Sequence, residues 1–291
     1  MKSLIALYFF ILGTLQLGLL LGVYHYYHSR HNNKPSPYWL GSLVANVLAL
    51  FIFGFSVLGV QDVSKPEFNF TIANALFYVA SISQVLFTRS LNLSITKRLK
   101  VLSFISVVIF VLSFEYLRRH GNFEQRTMYA CSIGFIYLSW GLIEVAKKWR
   151  ASKSPQLLYF QIITLFEIIF ISGRFLIVSS ITLPIFQVEA LPQTLIFLTI
   201  AQLVMNTLSY ICIGNYWAEK VAIRNIEVVQ ENEFVKNLLT ERETLVSSLL
   251  MANKSAATGA LSASIAHELN QPLAAIQLNT QFLQLKLDTE K

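Results

Sequence analysis

The sequence predicts an all-α fold: a polytopic membrane bundle of seven transmembrane helices, followed by a long helical extension at the C-terminus. Of the 291 residues, 54% are apolar and only 13% are charged, which is about half the charge of a typical soluble domain. Seven apolar segments reach the roughly 20 residues that a helix needs to cross the hydrocarbon core. Charged residues become frequent only in the last quarter of the chain, so we expect that part outside the bilayer.

The predicted spans are separated by short polar loops and cover approximately residues 4–27, 39–60, 70–87, 99–117, 128–146, 157–183 and 193–216. Lys2 precedes the first span, as a basic residue precedes the apolar core of a secretory signal peptide. This apolar run is long, however, ends in aromatic residues and has no clear small-residue cleavage site. We therefore interpret it as a span, and residues 1–216 as a transmembrane domain.

Basic residues predict that the N-terminus lies outside and the C-terminus inside, because cytoplasmic loops carry an excess of Lys and Arg. With this orientation the inner loops contain Arg30, Lys34, Arg89, Lys97, Arg98, Lys100, Lys147, Lys148, Arg150 and Lys153. The outer segments contain half as many, namely Lys2, Lys65, Arg118, Arg119 and Arg126. The adjacent Arg118 and Arg119 oppose the rule.

The net charge of +7 does not indicate a nucleic-acid-binding protein. The Lys and Arg residues cluster at the ends of apolar runs, where they suit lipid headgroups. Cys131 and Cys212 lie within apolar runs and are too few for a disulfide scaffold. We expect the lipid bilayer as a partner and no nucleic acid.

Four polar residues inside the last two spans require a reason, because such residues are costly in a membrane. Glu167 and Arg174 are two helical turns apart, and Gln202 and Asn206 are one turn apart, so each pair shares a helix face. They could form a pocket for a small ligand or a charged sensing element. They could equally form an interhelical hydrogen-bond cluster, which is common in membrane bundles.

Three histidines, His25, His28 and His31, lie at the inner end of the first span. Three imidazoles can bind a metal ion, but this spacing spreads them over about 120° of a helix. An interfacial belt of aromatic and basic residues explains them, and we expect no metal.

Residues 217–250 contain no proline and no glycine, so we expect the seventh helix to continue out of the membrane. Two seven-residue series resemble a coiled-coil seam, namely Val228, Val235, Arg242 and Leu249, and Asn232, Leu239, Val246 and Asn253. Polar residues interrupt this seam, which favours a weak parallel homodimer. A solvated helix without a partner is the alternative. The small residues at 254–259 predict a bend or hinge.

Residues 264–276 read SIAHELNQPLAAI, within a renewed helical stripe of Leu261, Ile265, Leu269, Pro272, Ile276, Leu283 and Leu287. His267 is about 200° around the helix axis from its stripe neighbours Ile265 and Leu269, so it points away from the stripe. Glu268 is adjacent to His267, and Gln271 lies one turn further on the same face. Pro272 removes one helical hydrogen bond and predicts a kink.

The His-Glu pair is compatible with few chemistries. A zinc protease helix would need a second His at position 271, where this chain has Gln. A Ser-His hydrolase would need a nucleophile fixed on a folded scaffold, for which the tail is too short. A nucleophilic histidine that attacks phosphorus beside a carboxylate fits the pair, and a chance surface pair is the alternative.

The string AHELNQPLAAI resembles the phosphoacceptor box of bacterial sensor histidine kinases of the HisKA type, especially the subgroup with His-Glu-Leu-Asn-Gln-Pro-Leu. The resemblance covers residues 256–291. It implies a sensory membrane domain at 1–216, a signalling helix at 217–254 and the first part of the dimerisation and phosphoacceptor domain at 255–291. Such proteins lie in the bacterial inner membrane.

The resemblance also implies a role for each residue of the box. His267 would receive the γ-phosphoryl group of ATP and pass it to an aspartate of a response regulator, and Glu268 would be its acid/base neighbour. Gln271 stands where the family has Thr or Asn to position water for phosphatase activity, and its side chain is longer. Pro272 matches the family's kink.

The family's ATP-binding domain, which holds ATP and Mg²⁺, is not recognisable in this sequence. Gly259 is the last glycine, so no glycine-rich lid follows the box. We therefore expect a part of a longer kinase, inactive by itself, with the ATP-binding domain on the same protein or acting in trans. A transporter or channel with an oligomerisation helix, and a seven-helix receptor that only recruits partners, are the alternatives.

Overall fold

The computed structural model describes residues 1–29, 35–181 and 185–289. Its helices are α1 (Lys2–Ser29), α2 (Pro37–Gly59), α3 (Phe68–Ser90), α4 (Lys97–His120), α5 (Phe123–Ser152), α6 (Pro155–Ser179) and α7 (Gln193–Thr289), with a short 3₁₀ turn at Val188–Ala190. Across these described ranges there is no strand. Seven helices there are long and apolar enough to cross a membrane, which confirms the predicted class and number of spans.

Several helices begin at residues whose chemistry favours a helix start. Pro37 and Pro155 occupy the first turn of α2 and α6, where the missing N–H of proline costs nothing. The hydroxyl of Thr96 accepts a hydrogen bond from the backbone N–H of Leu99 at the start of α4. Asn122 begins α5 with a capping box, so the backbone N–H groups of Asn122 and Gln125 both have partners.

The largest difference from the predicted spans concerns α6 and α7. Helix α6 ends at Ser179, four residues before the predicted end, and the hydroxyls of Ser179 and Ser180 both donate to the carbonyl of Leu176. These bonds occupy a terminal carbonyl that would otherwise lack a partner. Helix α7, in contrast, continues without a break to Thr289, which confirms the helical continuation beyond residue 216.

The chain forms two compact units, Met1–Ala222 and Ile223–Lys291. In the first unit α2 and α3 are the most buried helices, and Trp39, Leu43 and Tyr210 lie at the centre of its core. The second unit consists of the distal part of α7, and its described side chains from residue 226 to 286 are all exposed.

Polar contacts join the helices at both ends of the first unit. At the end formed by residues 60–67 and 120–122, Arg118 donates to the carbonyl of Pro66 at 2.8 Å. At the opposite end, formed by residues 91–96 and 153–154, Arg89 pairs with the buried Glu144 at 2.9 Å. We call these the loop-60 end and the loop-91 end.

Candidate functional site

The first unit contains a cavity of about 340 Å³ that is lined by residues of all seven helices. Aromatic side chains form much of its wall, including Phe9, Phe53, Phe77, Phe110 and Tyr137. Val63 and Pro66 line it at the loop-60 end, and Asn46 lines it within the bundle. Its volume lies at the lower end of the range of ligand pockets, which is about 300–1,000 Å³.

All four polar residues predicted in the last two spans line this cavity, namely Glu167, Arg174, Gln202 and Asn206. The Arg174 guanidinium donates from Nη1 to Oε1 of Gln202 at 2.6 Å. Its Nε is buried and has no hydrogen-bond partner. Within the described part of the chain, no carboxylate forms an ion pair with Arg174, so the guanidinium faces the cavity with one edge unused.

Glu167 is satisfied by neutral partners on α7 instead of by a cation. Its side chain is 1% exposed, and it accepts a hydrogen bond from the hydroxyl of Ser209. The side-chain amide of Asn206 also interacts with this carboxyl group. The two charged residues of α6 are therefore each joined to α7 and not to one another.

Sequence reasoning missed two members of the polar network, Gln16 on α1 and Asn46 on α2. Gln16 donates to the hydroxyl of Thr207 at 2.9 Å. Asn46 donates to Gln16 at 2.7 Å and to Asn206 at 3.0 Å. These bonds join α1, α2 and α7 beside the cavity. The sequence did contain a signal for these two residues, because each is the single amide residue of its predicted span.

Arg126 also lines the cavity, although the sequence indicated only a topological role for it. Its side chain is 6% exposed. Its guanidinium donates to the carbonyls of Val63, Ser64 and Gly121 at 2.6–3.0 Å. Three of the five N–H donors of this cation are therefore used by backbone oxygens, whereas Arg174 has one hydrogen bond.

The second candidate site lies on the distal part of α7, where His267 and Glu268 are both exposed. Nε2 of Gln271 lies 3.2 Å from Nε2 of His267, so the two residues share a helix face as the spacing predicts. An amide nitrogen only donates hydrogen bonds. The amide nitrogen of Gln271 can therefore donate only to a His267 ring whose Nε2 carries no proton.

Two helix irregularities were expected in this region. Pro272 lies inside α7, which continues on both sides of it, and the kink at Pro272 stays a prediction. The small residues at 254–259 are helical as well, so they form no loop. Apolar residues of the stripe, such as Ile265, Leu269 and Ile276, are 49–62% exposed in the single chain.

The three histidines at the end of the first span are described only in part. His25 is exposed, whereas the side chain of His28 and the whole of His31 lie outside the described residues. In the regions that the structure covers, no group of three His, Cys, Asp or Glu residues is arranged to hold a metal ion.

No protein family, curated protein or solved structure matches this chain. Its function must therefore be inferred from the His267 box and from the geometry of the cavity.

Proposed function

We propose that this chain is the sensory and phosphoacceptor part of a bacterial sensor histidine kinase and that His267 receives the phosphoryl group. The main support for this proposal is the string AHELNQPLAAI, in which His267 is exposed beside Glu268 on a helix. An exposed imidazole is accessible to an ATP-binding domain, which would hold ATP and Mg²⁺ and would belong to the same protein or act in trans.

The reaction needs a free lone pair on the imidazole ring. The nucleophilic nitrogen of His267 forms a bond to the γ-phosphorus of ATP, the bond from phosphorus to the β–γ bridging oxygen breaks, and ADP leaves. Glu268 then accepts the proton that the phosphorylated ring releases. A response-regulator aspartate next takes the phosphoryl group.

Gln271 occupies that lone pair in the present conformation. Its amide donates to Nε2 of His267, and this nitrogen cannot attack phosphorus while it accepts the bond. Rotation of the flexible Gln271 side chain would free the nitrogen. Gln271 would therefore favour one tautomer of the ring before the reaction, and in the resemblance it has the position of the residue that orients water for phosphatase activity.

A homodimer would bury the exposed apolar residues of distal α7. Val228, Val235, Val246 and Leu249 of the predicted seam are 44–69% exposed. Pairing of two copies along this seam removes apolar surface from water, which is the main driving force of coiled-coil association.

The contacts made by the basic residues agree with the predicted N-out orientation. At the loop-60 end Arg118 and Arg119 both bind Glu115, and Arg126 binds backbone carbonyls. Arg118 and Arg119, which oppose the charge rule, and Arg126 thus all have local structural partners. Toward the loop-91 end and the start of distal α7, lysines lie over aromatic rings, as interfacial residues do: Lys100 over Tyr38, Lys153 over Trp149 and Lys220 over Tyr216.

Helix α7 would carry the signal. It contributes Gln202, Asn206, Thr207 and Ser209 to the polar contacts beside the cavity, and it is one uninterrupted helix to Thr289. A change in packing at these residues would shift or rotate α7 and alter the exposure of His267.

Phosphorylation tests this proposal directly. The reconstituted chain is incubated with γ-labelled ATP and a compatible ATP-binding domain, and we expect acid-labile, base-stable label. His267→Gln should lose the label, whereas the control His120→Gln, at another exposed histidine, should retain it. Unchanged labelling of His267→Gln would refute the assignment. Substrate flux in proteoliposomes that is indifferent to His267→Gln would instead favour a transporter.

A further inference from the structure

We propose that the cavity of the first unit binds a small monocarboxylate with an apolar body and that Arg174 anchors its carboxylate group. This inference deepens the proposed function, since the ligand would be the signal of the kinase. Binding itself requires only the membrane unit and can be measured without phosphorylation.

The unused edge of Arg174 indicates an anion. A guanidinium carries five N–H donors, and the hydrogen bond found for Arg174 uses Nη1 and a neutral oxygen of Gln202. Nε is buried without a partner, and Nε and Nη2 form the side of the guanidinium that binds two carboxylate oxygens together. Burial of the Nε–H donor without a partner is costly, and a ligand carboxylate would remove that cost.

The other charged groups at the cavity restrict the ligand to one carboxylate. Both terminal nitrogens of Arg126 already donate to carbonyl oxygens, so a second anion would have to compete with these bonds. Glu167 precedes Arg174 by two helical turns, about 10 Å along the axis, and carries its own carboxyl group. A second carboxylate deeper in the cavity would face Glu167 without a cation to stabilise it.

The rest of the cavity wall favours a ligand whose remaining part is apolar. Phe9, Phe53, Phe77 and Phe110 line the cavity, and such side chains favour an acyl chain or an aromatic ring over a sugar or nucleotide. The volume of about 340 Å³ suits a short chain or a single ring. Such an acid could come from the bilayer as an acyl chain or from the medium as a soluble aromatic acid.

Thermal unfolding of the full chain in lipid nanodiscs tests the proposal with octanoate and 3-phenylpropanoate as probes. Each is compared with its neutral amide of equal size. We expect at least one carboxylate to raise the unfolding temperature with concentration, and its amide to bind about tenfold or more weakly, because it lacks the charge-assisted pair. A response to octanoate assigns an acyl chain as the apolar body of the ligand, and a response to 3-phenylpropanoate assigns an aromatic ring. No response to either acid, or equal responses to acid and amide, overturns the proposal.

Substitutions test whether the ligand carboxylate binds at Arg174. Arg174→Gln should abolish the preference for the acid, whereas Arg119→Gln, which changes a guanidinium that is 65% exposed and paired with Glu115, should keep it. Ala130→Phe adds bulk at the cavity wall without removing a charge and should abolish binding even if Arg174→Gln fails to fold. Retained preference in either cavity variant contradicts the site.

His267→Gln separates this inference from the proposed function, since it should bind the acid as the unchanged chain does. Absence of label in the unchanged chain, with acid binding intact, would refute only the kinase. Intact labelling without acid binding would refute only the ligand.

Discussion

Asn46 is the residue through which three membrane helices share hydrogen bonds, and its replacement by leucine tests the polar network. Its side chain is 3% exposed and donates to Gln16 and Asn206. Leucine has a similar volume but no donor, so both acceptors lose a partner inside the bundle. Hydrogen bonds between membrane helices contribute about 0.6 kcal/mol on average and about 1.7 kcal/mol at most. Two lost bonds therefore predict a destabilisation of about 1–3 kcal/mol.

The measurement is reversible unfolding of the chain in mixed micelles by increasing fractions of a denaturing detergent. Asn74→Leu is the matched control, because Asn74 donates only to the carbonyl of Phe70 in its own helix. That carbonyl still has its helical backbone partner after the substitution, so we expect a smaller loss. If Asn46→Leu changes stability by less than about 0.3 kcal/mol, or if both variants lose the same amount, the network does not stabilise the bundle as the bonds predict.

Two further predictions concern the loop-60 end. Gly121→Ala should lower the unfolding midpoint, because an added Cβ would lie 2.8 Å from the Leu117 carbonyl oxygen. Gly41→Ala has no neighbour within 4 Å and should stabilise by up to about 1 kcal/mol through helix propensity; equal effects would contradict this packing difference. Hydrogen bonds from Ser64 lower the pKa of Asp62 below its ordinary value of 3.8, so the associated stability is complete above pH 3.8 and is lost as the pH falls through the folded-state pKa. Asp62→Asn should therefore reduce the fall of the unfolding temperature at acidic pH. An unchanged fall would mean that other groups cause it.

The sequence by itself determined the class of the fold, because crossing a bilayer imposes a length and a composition that each span must meet alone. The apolar runs predicted seven helices, and the absence of proline and glycine at 217–250 predicted the continuation of α7. Helical periodicity was also sufficient to place Gln271 on the face of His267, since both residues belong to one helix. The His267 box is local in the same sense, because all of its residues are consecutive along one helix.

Tertiary structure alone decided which polar groups meet. The sequence put Glu167 and Arg174 on one face of α6, but they are about 10 Å apart along the axis, and each binds a residue of α7 instead. Gln16 and Thr207 are separated by 191 positions and still form a hydrogen bond, and no periodicity within one helix predicts such a pairing. The cavity, the bonds from Arg126 to the carbonyls of Val63 and Ser64 and the unused edge of Arg174 all depend on how the helices pack together. Each arises from groups that are far apart along the chain.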